Sequence, residues 1–272
     1  MSMIQNVKVI ENKQIAPDIF DLRIYSPEQA AKALAGQFLG IYTGSAAMLL
    51  PRPLSICEID ASGGILRVIY RVVGDGTRDI AGVAPGGELR VLGPLGNGYD
   101  LKNLTTENTE AHGRVAIVGG GLGVPPLLGL AAGVRGVLPD AKITVYLGFR
   151  DKSQAILVED FGGFVDEVVV CTDDGSYGVK GNVIEAMTGG IPGQARNDDI
   201  IYGCGPYPML KALAEYAKQS KLPCFVSVEE HMACCVGTCL ACAVKVQTDS
   251  GAVNKRACYD GPVFDASEVV WE

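Results

Sequence analysis

RVAIVGGGLGVPPLLGLAAGVRG, from Arg114 to Gly136, is the stretch on which the fold turns. Between Arg114 and Arg135 run twenty residues, Val115 to Val134, without a charge, a length that suits a membrane-spanning helix. Gly119, Gly120, Gly121 and Gly123, followed by Pro125 and Pro126, fall in its middle. There they would free backbone groups that lipid cannot satisfy. The same residues read without conflict as a buried strand, a glycine turn and a helix. A glycine turn that opens a helix presents bare amides to an anion, although this one lacks the G-x-G-x-x-G spacing and a marked acidic ribose partner.

Downstream the pattern repeats. KITVYLGF (142–149), DEVVVC (166–171), DDIIYGC (198–204) and CFVSVE (224–229) are apolar strand candidates, and PLLGLAAGVRG and PMLKALAEYAKQ read as helices. Near-continuous apolar strands joined by helices predict a parallel sheet covered on both faces. Upstream the period changes. MIQNVKVIEN, IFDLRIYS, GQFLGIYTG and ILRVIYRVV are short strands between turn residues, the pattern of an antiparallel barrel or sandwich. The polar stretch DLKNLTTENTEAHG (100–113) reads as the linker. The division expected is therefore 1–99, 112–223 and a short tail, 224–272.

The 272 residues are 48% hydrophobic and carry a net charge of −8. That composition excludes disorder and argues against a nucleic-acid partner, whose footprint is basic. The 35 glycines show no Gly-X-Y period, which excludes collagen. Two histidines, His112 and His231, leave no room for a histidine-rich metal centre. Nine cysteines, five of them within 234–258, do not form a secreted disulfide framework. The N-terminus lacks a signal-peptide apolar core, so a cytoplasmic location is expected.

Cys234, Cys239, Cys242 and Cys258 are spaced C-x4-C-x2-C-x15-C, the plant-type arrangement for a [2Fe–2S] cluster. Soft anionic thiolates suit iron–sulfur bonding, and Gly237 lets the loop wrap. Structural zinc also takes four cysteines, but usually as two short pairs, which the x4-then-x2 triple matches poorly. Cys235 is expected to leave the loop in another direction. The tail is too short for a core of its own, so something inorganic is expected to hold it together. Cys57, Cys171, Cys204 and Cys224 read as small buried residues.

Three further motifs are weaker alone. Cys204-Gly205-Pro206 follows the last long strand, at the edge where open α/β sheets bind ligands. Arg52-Pro53-Leu54-Ser55 offers a guanidinium fork and a hydroxyl. Ile69-Tyr70-Arg71 precedes Gly74-Asp75-Gly76-Thr77 and offers a flat aromatic face. Each also reads as an ordinary turn or strand. Arg150 could meet a 2′-phosphate, but Asp151 stands beside it, which leaves NAD and NADP both open.

Taken in order, these motifs resemble the ferredoxin–NADP reductase superfamily over nearly the whole chain. MACCVGTCLAC (232–242), ACYDGPVF, RVVGDGT and VLGPLGNGY narrow the likeness to the electron-transfer subunits of NAD-dependent (type B) dihydroorotate dehydrogenase. One departure is Cys235, where the family's C-G-x-G-x-C has glycine. The resemblance implies an antiparallel flavin-binding β-barrel, then a parallel-sheet NAD-binding α/β domain, then a small C-terminal [2Fe–2S] module. It implies that Arg52, Pro53, Leu54 and Ser55 hold FAD, with Ile69, Tyr70 and Arg71 along the flavin and Gly76 and Thr77 at its pyrophosphate. Gly119, Gly120, Gly121, Gly123, Cys204, Gly205 and Pro206 would receive NAD(H), and Cys234, Cys239, Cys242 and Cys258 would ligate the cluster. The implied activity is relay from dihydroorotate, oxidised in an FMN-containing catalytic subunit, through the cluster and FAD to NAD⁺, in a heterotetramer with two of each chain. The runner-up is the small subunit of an NADH-dependent ferredoxin:NADP⁺ reductase or of a sulfide dehydrogenase or hydrogenase. There M-x-D-G-x-G-M-C-G-x-C is expected, with aspartate where this chain has Cys234. A non-catalytic redox sensor would leave R-P-L-S and C-G-P without a role.

Overall fold

The computed structural model describes residues 3–101, 113–190 and 199–272. His112 and most of the linker read at 100–113 lie outside them. The first half contains β1 (Met3–Ala16), β2 (Ile19–Tyr25), α1 (Pro27–Ala30), β3 (Phe38–Tyr42), β4 (Arg52–Asp60), β5 (Ile65–Arg71), α2 (Asp75–Ala81) and β6 (Glu88–Leu95). The six strands close into an antiparallel barrel of order β1-β2-β5-β4-β3-β6, in which β6 pairs with both β3 and β1. Closure removes the exposed edges an open sheet would present. Alternation sorts the side chains: Leu66, Val68 and Tyr70 of β5 fill the barrel with Val9, Leu22, Ile41 and Val91, while Ile69 faces outward into a second core. β4, over 52–60, is not among the barrel strands quoted from the sequence; Arg52-Pro53 interrupts apolar alternation at its start.

The second half contains β7 (Arg114–Gly120), α3 (Val124–Val137), β8 (Lys142–Phe149), β9 (Glu167–Thr172), β10 (Val179–Lys180), α4 (Val183–Gly190), β11 (Ile200–Cys204), α5 (Tyr207–Ser220), β12 (Cys224–Ser227), β13 (Ala243–Thr248), β14 (Gly251–Arg256) and β15 (Val263–Asp265). Among the described residues seven strands form one sheet of order β10-β9-β8-β7-β11-β12-β15, parallel except where β15 pairs with β12. Val115 and Ile117 face α3; Ala116 and Val118 face the side packed by α4 and α5. Among the described residues, no helix is long and apolar enough to cross a membrane. The charge-free stretch 115–134 is divided between β7, a 3-10 turn and α3.

Barrel and sheet share a core. Cys57, Ile69 and Tyr99 pack with Leu127, Leu130 and Tyr202, and a Cβ on Gly129 of α3 would lie 3.0 Å from the Cys57 carbonyl. The boundary read at 223/224 falls immediately before β12, which is hydrogen-bonded to β11 as a sheet strand. The β13–β14 hairpin also has apolar support of its own. Val244, Val246, Ala257 and Val269 are buried and continuous with Val226 and Leu213 of the sheet domain. The expected inorganic support is thus joined by ordinary hydrophobic burial, roughly 1.5–3 kcal/mol per fully buried aliphatic side chain.

Candidate flavin, nucleotide and cluster sites

A cleft of about 850 Å³ opens between the barrel and the sheet domain. Arg52, Pro53, Leu54, Ser55, Ile69, Tyr70, Arg71 and Thr77 all line it, opposite Leu122 of the glycine turn and the segment Ser227–Met232. Of the flavin candidates, only Gly76 is not in the lining. It lies under Arg52, whose guanidinium occupies the space a Cβ on Gly76 would need. Gly74 caps α2, and amides of a helix's first turn have no intrahelical carbonyl partner. Arg52 over that turn makes a cationic cradle suited to phosphate.

Two candidates differ from expectation in what they offer. The Tyr70 ring is 1% exposed and stacks on Phe20 at 5.8 Å, with its hydroxyl donating to Asn12 Oδ1 at 3.1 Å. Burial pushes its phenol up to about 12. It borders the cleft as a core residue, because strand parity turns position 70 inward, and does not present an open flat face. The Thr77 hydroxyl accepts from the amides of Val73 (2.9 Å) and Gly74 (3.2 Å) and donates to the Gly74 carbonyl (3.1 Å). It shapes the turn, and the turn's amides are what remain for a ligand.

The nucleotide candidates interlock. Gly119 of β7 is in register with Cys204 of β11, so the glycine turn and the C-G-P turn leave the sheet side by side. They do so where the strand order reverses between β7 and β11, the place at which ligands of doubly wound sheets bind. Gly121 has φ +54. A Cβ on Gly123 would meet Gly205 N at 2.5 Å and lie closer still to the Cys204 carbonyl; one on Gly120 would lie 2.7 Å from Met209 Sδ. The Cys204 thiol is buried and raised well above the ordinary thiol range by desolvation. Beyond β8, the Asp151 carboxylate accepts from Ser153 N (2.7 Å) and Ser153 Oγ (2.5 Å), beside exposed Arg150.

Three non-glycine or glycine residues of the cysteine loop adopt left-handed backbone: Cys235 at φ +61, Gly237 at +80 and Leu240 at +61. These turns point amides at sulfur. Gly237 N donates to Cys258 Sγ at 3.1 Å, and Thr238 N and Cys239 N donate to Cys234 Sγ at 3.3 and 3.4 Å. Desolvation would raise the Cys234 thiol, but backbone amides and the Cys239 thiol outweigh it and bring it down to about 6. Desolvation, reinforced by Cys242, pushes Cys258 up to about 12. Among the described residues, no three His, Cys, Asp or Glu side chains gather as they would around one ion. Backbone amides aimed at Cys234 and Cys258 suit sulfur held as thiolate, the form in which cysteine ligates an iron–sulfur cluster. Cys235 is fully buried and faces the apolar core. Its left-handed φ is the physical reason glycine is expected there.

The sequence reading misses Glu229, Glu230, His231 and Met232, which close the cleft between β12 and Cys234. An acidic pair and a histidine between an apolar strand and a cysteine-rich loop is the signal that marks them.

A flavin-sized cleft on a closed barrel, two interlocked turns at a sheet switch point and a four-thiol loop define a class: reductases of ferredoxin-reductase architecture carrying an iron–sulfur module. Comparison with known proteins narrows it. Residues 229–270 match the model for the iron–sulfur cluster binding domain of dihydroorotate dehydrogenase B. The chain is 40% identical to the dihydroorotate dehydrogenase B (NAD(+)) electron transfer subunit of Clostridium perfringens over 96% of each chain. To that of Desulforamulus reducens it is 37% identical over the full length of both. A solved structure of an NADH-dependent reduced ferredoxin-NADP oxidoreductase superimposes with TM-score 0.83 at 33% identity, over 97% of this chain and 90% of that one. A ferredoxin NADP+ reductase from Neisseria gonorrhoeae with bound FAD and NADP shares the fold, with TM-score 0.63 at 15% identity. The chain belongs to the family of dihydroorotate dehydrogenase B electron-transfer subunits.

Proposed function

We propose that the 850 Å³ cleft holds FAD on Arg52–Ser55, Ile69–Arg71 and the Gly76–Thr77 turn, that the glycine and C-G-P turns receive NAD(H), and that Cys234, Cys239, Cys242 and Cys258 hold the cluster. The chain is an NAD-linked oxidoreductase component that uses FAD, a [2Fe–2S] cluster and NAD. When bound, these groups carry electrons from dihydroorotate oxidation through the cluster and FAD to NAD⁺, the flavin being the junction between single electrons and hydride.

The protein's own contribution is placement. Arg52 and the first turn of α2 neutralise phosphate charge. Gly120, Gly123 and Gly205 let two backbones close on a dinucleotide. Amides of Gly237, Thr238 and Cys239 stabilise thiolate charge. One observation carries the reading: residues 227–232 line the flavin cleft and run directly into Cys234, so one short segment spans both redox sites. Cys234 in place of aspartate, with full-length relatives at 37–40% identity, favours this reading over the ferredoxin:NADP⁺ reductase subunit.

The partner read here is an FMN-containing catalytic subunit that oxidises dihydroorotate, two of each chain forming the complex, in the cytoplasm, where nine unpaired cysteines stay reduced. The test is reconstitution. Dihydroorotate should yield NADH only when both subunits are present, and Cys234→Ser should abolish that coupling while flavin bleaching by NADH survives. NADH formation by the partner alone would refute it.

A further inference from the structure

We propose that two separate polar seams set the two distances over which electrons move in this chain: one registers the nucleotide turns against the barrel, the other registers the cluster loop. The inference rests on the reading of the cleft as a flavin site.

The first seam lies on the outer face of β5. Arg67, Ile69 and Arg71 share that face, and Ile69 sits in the core common to barrel and sheet. The Arg67 side chain is only 10% exposed and uses every arm of its fork. Nε and Nη2 hold Asp21 at 3.1 and 2.9 Å, while Nη1 crosses to Asp160 of the sheet domain at 2.7 Å, with Glu58 at 3.3 Å. Four residues along, Arg71 Nη2 donates to Gln154 Oε1 at 2.5 Å. Gln154 and Asp160 belong to the segment that leaves the carboxyl end of β8, where Gly148 is in register with Gly120 of the nucleotide turn. A single segment thus begins at the nucleotide edge and is pinned twice to the flavin-bearing strand. Between the two pins Leu157, 8% exposed, is held at φ +60. A branched residue keeps that conformation only where its surroundings over-determine it.

The second seam joins the end of β6 to the residues after Cys258. Asn97 N donates to the Gly261 carbonyl at 2.6 Å, and Asn97 Nδ2 to the carbonyls of Tyr259 (3.2 Å) and Asp260 (3.1 Å). Gly96, at φ +75, approaches so closely that a Cβ would lie 2.7 Å from Pro262 Cδ. Pro262 itself lines the flavin cleft, so this seam fixes the fourth candidate cluster ligand relative to the flavin. The two seams share no residue.

Hydride transfer needs reacting atoms within about 3–3.5 Å, so sub-ångström slippage of the first seam slows it by an order of magnitude or more. The holoprotein is compared with two variants, Gln154→Ala/Asp160→Ala and Asn97→Ala. Flavin bleaching by saturating NADH, followed anaerobically in a stopped-flow instrument, reads hydride transfer. Flavin-to-cluster transfer is read after one electron is injected into the flavin by photoexcited deazaflavin, with EDTA as sacrificial donor. Amide hydrogen exchange reads each seam directly. The Gln154/Asp160 variant should bleach about tenfold more slowly, pass the injected electron at the wild-type rate, and exchange faster only across 154–164. Asn97→Ala should show the reverse, with faster exchange across 259–262. Asp160→Asn, which keeps an oxygen for Arg67, should recover most of the lost rate. The proposal is overturned if either variant slows both steps, or if a seam opens by exchange and neither rate moves. If NADH does not bleach the wild type, the flavin reading fails and takes the proposal with it.

Discussion

Replacing Gly123 by alanine should weaken nucleotide binding more than the same change at Gly121, two residues earlier. At Gly123 the new methyl would lie 2.5 Å from Gly205 N and still nearer the Cys204 carbonyl. Both neighbours are backbone, in turns fixed by the pairing of β7 with β11, so neither yields as a flexible side chain would. Overpacking of this kind costs about 1–3 kcal/mol. Relief comes from separating the glycine turn and the C-G-P turn, which together form the nucleotide site. If that strain is released on separation and must be restored on binding, the dissociation constant for NADH rises about 5- to 150-fold. At Gly121, φ is +54 and nothing lies within 4 Å of an added Cβ. Alanine there carries only the left-handed backbone cost, about 1–2 kcal/mol, which falls on folding with little change in the site. The assay is the NADH dependence of flavin bleaching, with thermal unfolding alongside. Wild-type NADH dependence in Gly123→Ala, or a larger loss in Gly121→Ala, would refute the steric argument.

Other outcomes follow from single residues. Arg52→Ala should release FAD, raising its dissociation constant about 10- to 150-fold for the loss of a charge-assisted contact of about 1.5–3 kcal/mol; Arg52→Lys should recover only part, because the fork geometry is lost. Cys235→Gly should leave iron content unchanged, the relief of the left-handed backbone at φ +61 offsetting the burial lost with the side chain; loss of iron would make Cys235 a ligand. In cluster-free protein Cys234, lowered to about 6, should be alkylated at pH 7 ahead of Cys258 and Cys235, both raised to about 12. The sign for stability follows: the folded Cys234 thiol is more acidic than the unfolded one. Its contribution is full above the ordinary thiol value and is lost as pH falls through about 6, as pH-dependent unfolding of that protein should show.

Much of this molecule could be read from its sequence because the decisive signals are covalent or periodic. The C-x4-C-x2-C-x15-C spacing needs no tertiary knowledge, and the alternation in β2 and β5 declares barrel strands without help. β4 is harder to read because Arg52-Pro53 lines the cleft at the expense of alternation, with Pro53 in register with Gly40. That Tyr70 borders the cleft as a buried core residue is not legible in the sequence, because adjacent strand residues face opposite ways and the sequence does not set the phase of β5. The tightness of Gly120, Gly123 and Gly205 comes from contacts between turns more than 80 residues apart, which only the register of β7 and β11 brings together. Glu229–Met232 carry no motif of their own; their place in the cleft depends on how the chain turns toward the barrel after β12.

The central claim is that one chain carries a flavin reducible by NADH beside a two-iron cluster. The most direct measurement is an anaerobic absorbance titration of the purified chain with NADH, with flavin, iron and zinc determined on the same sample. The structure predicts about one FAD and two irons per chain, with the flavin bleached on addition of NADH. Zinc in place of iron, with no flavin retained under cofactor-sparing purification, would contradict it.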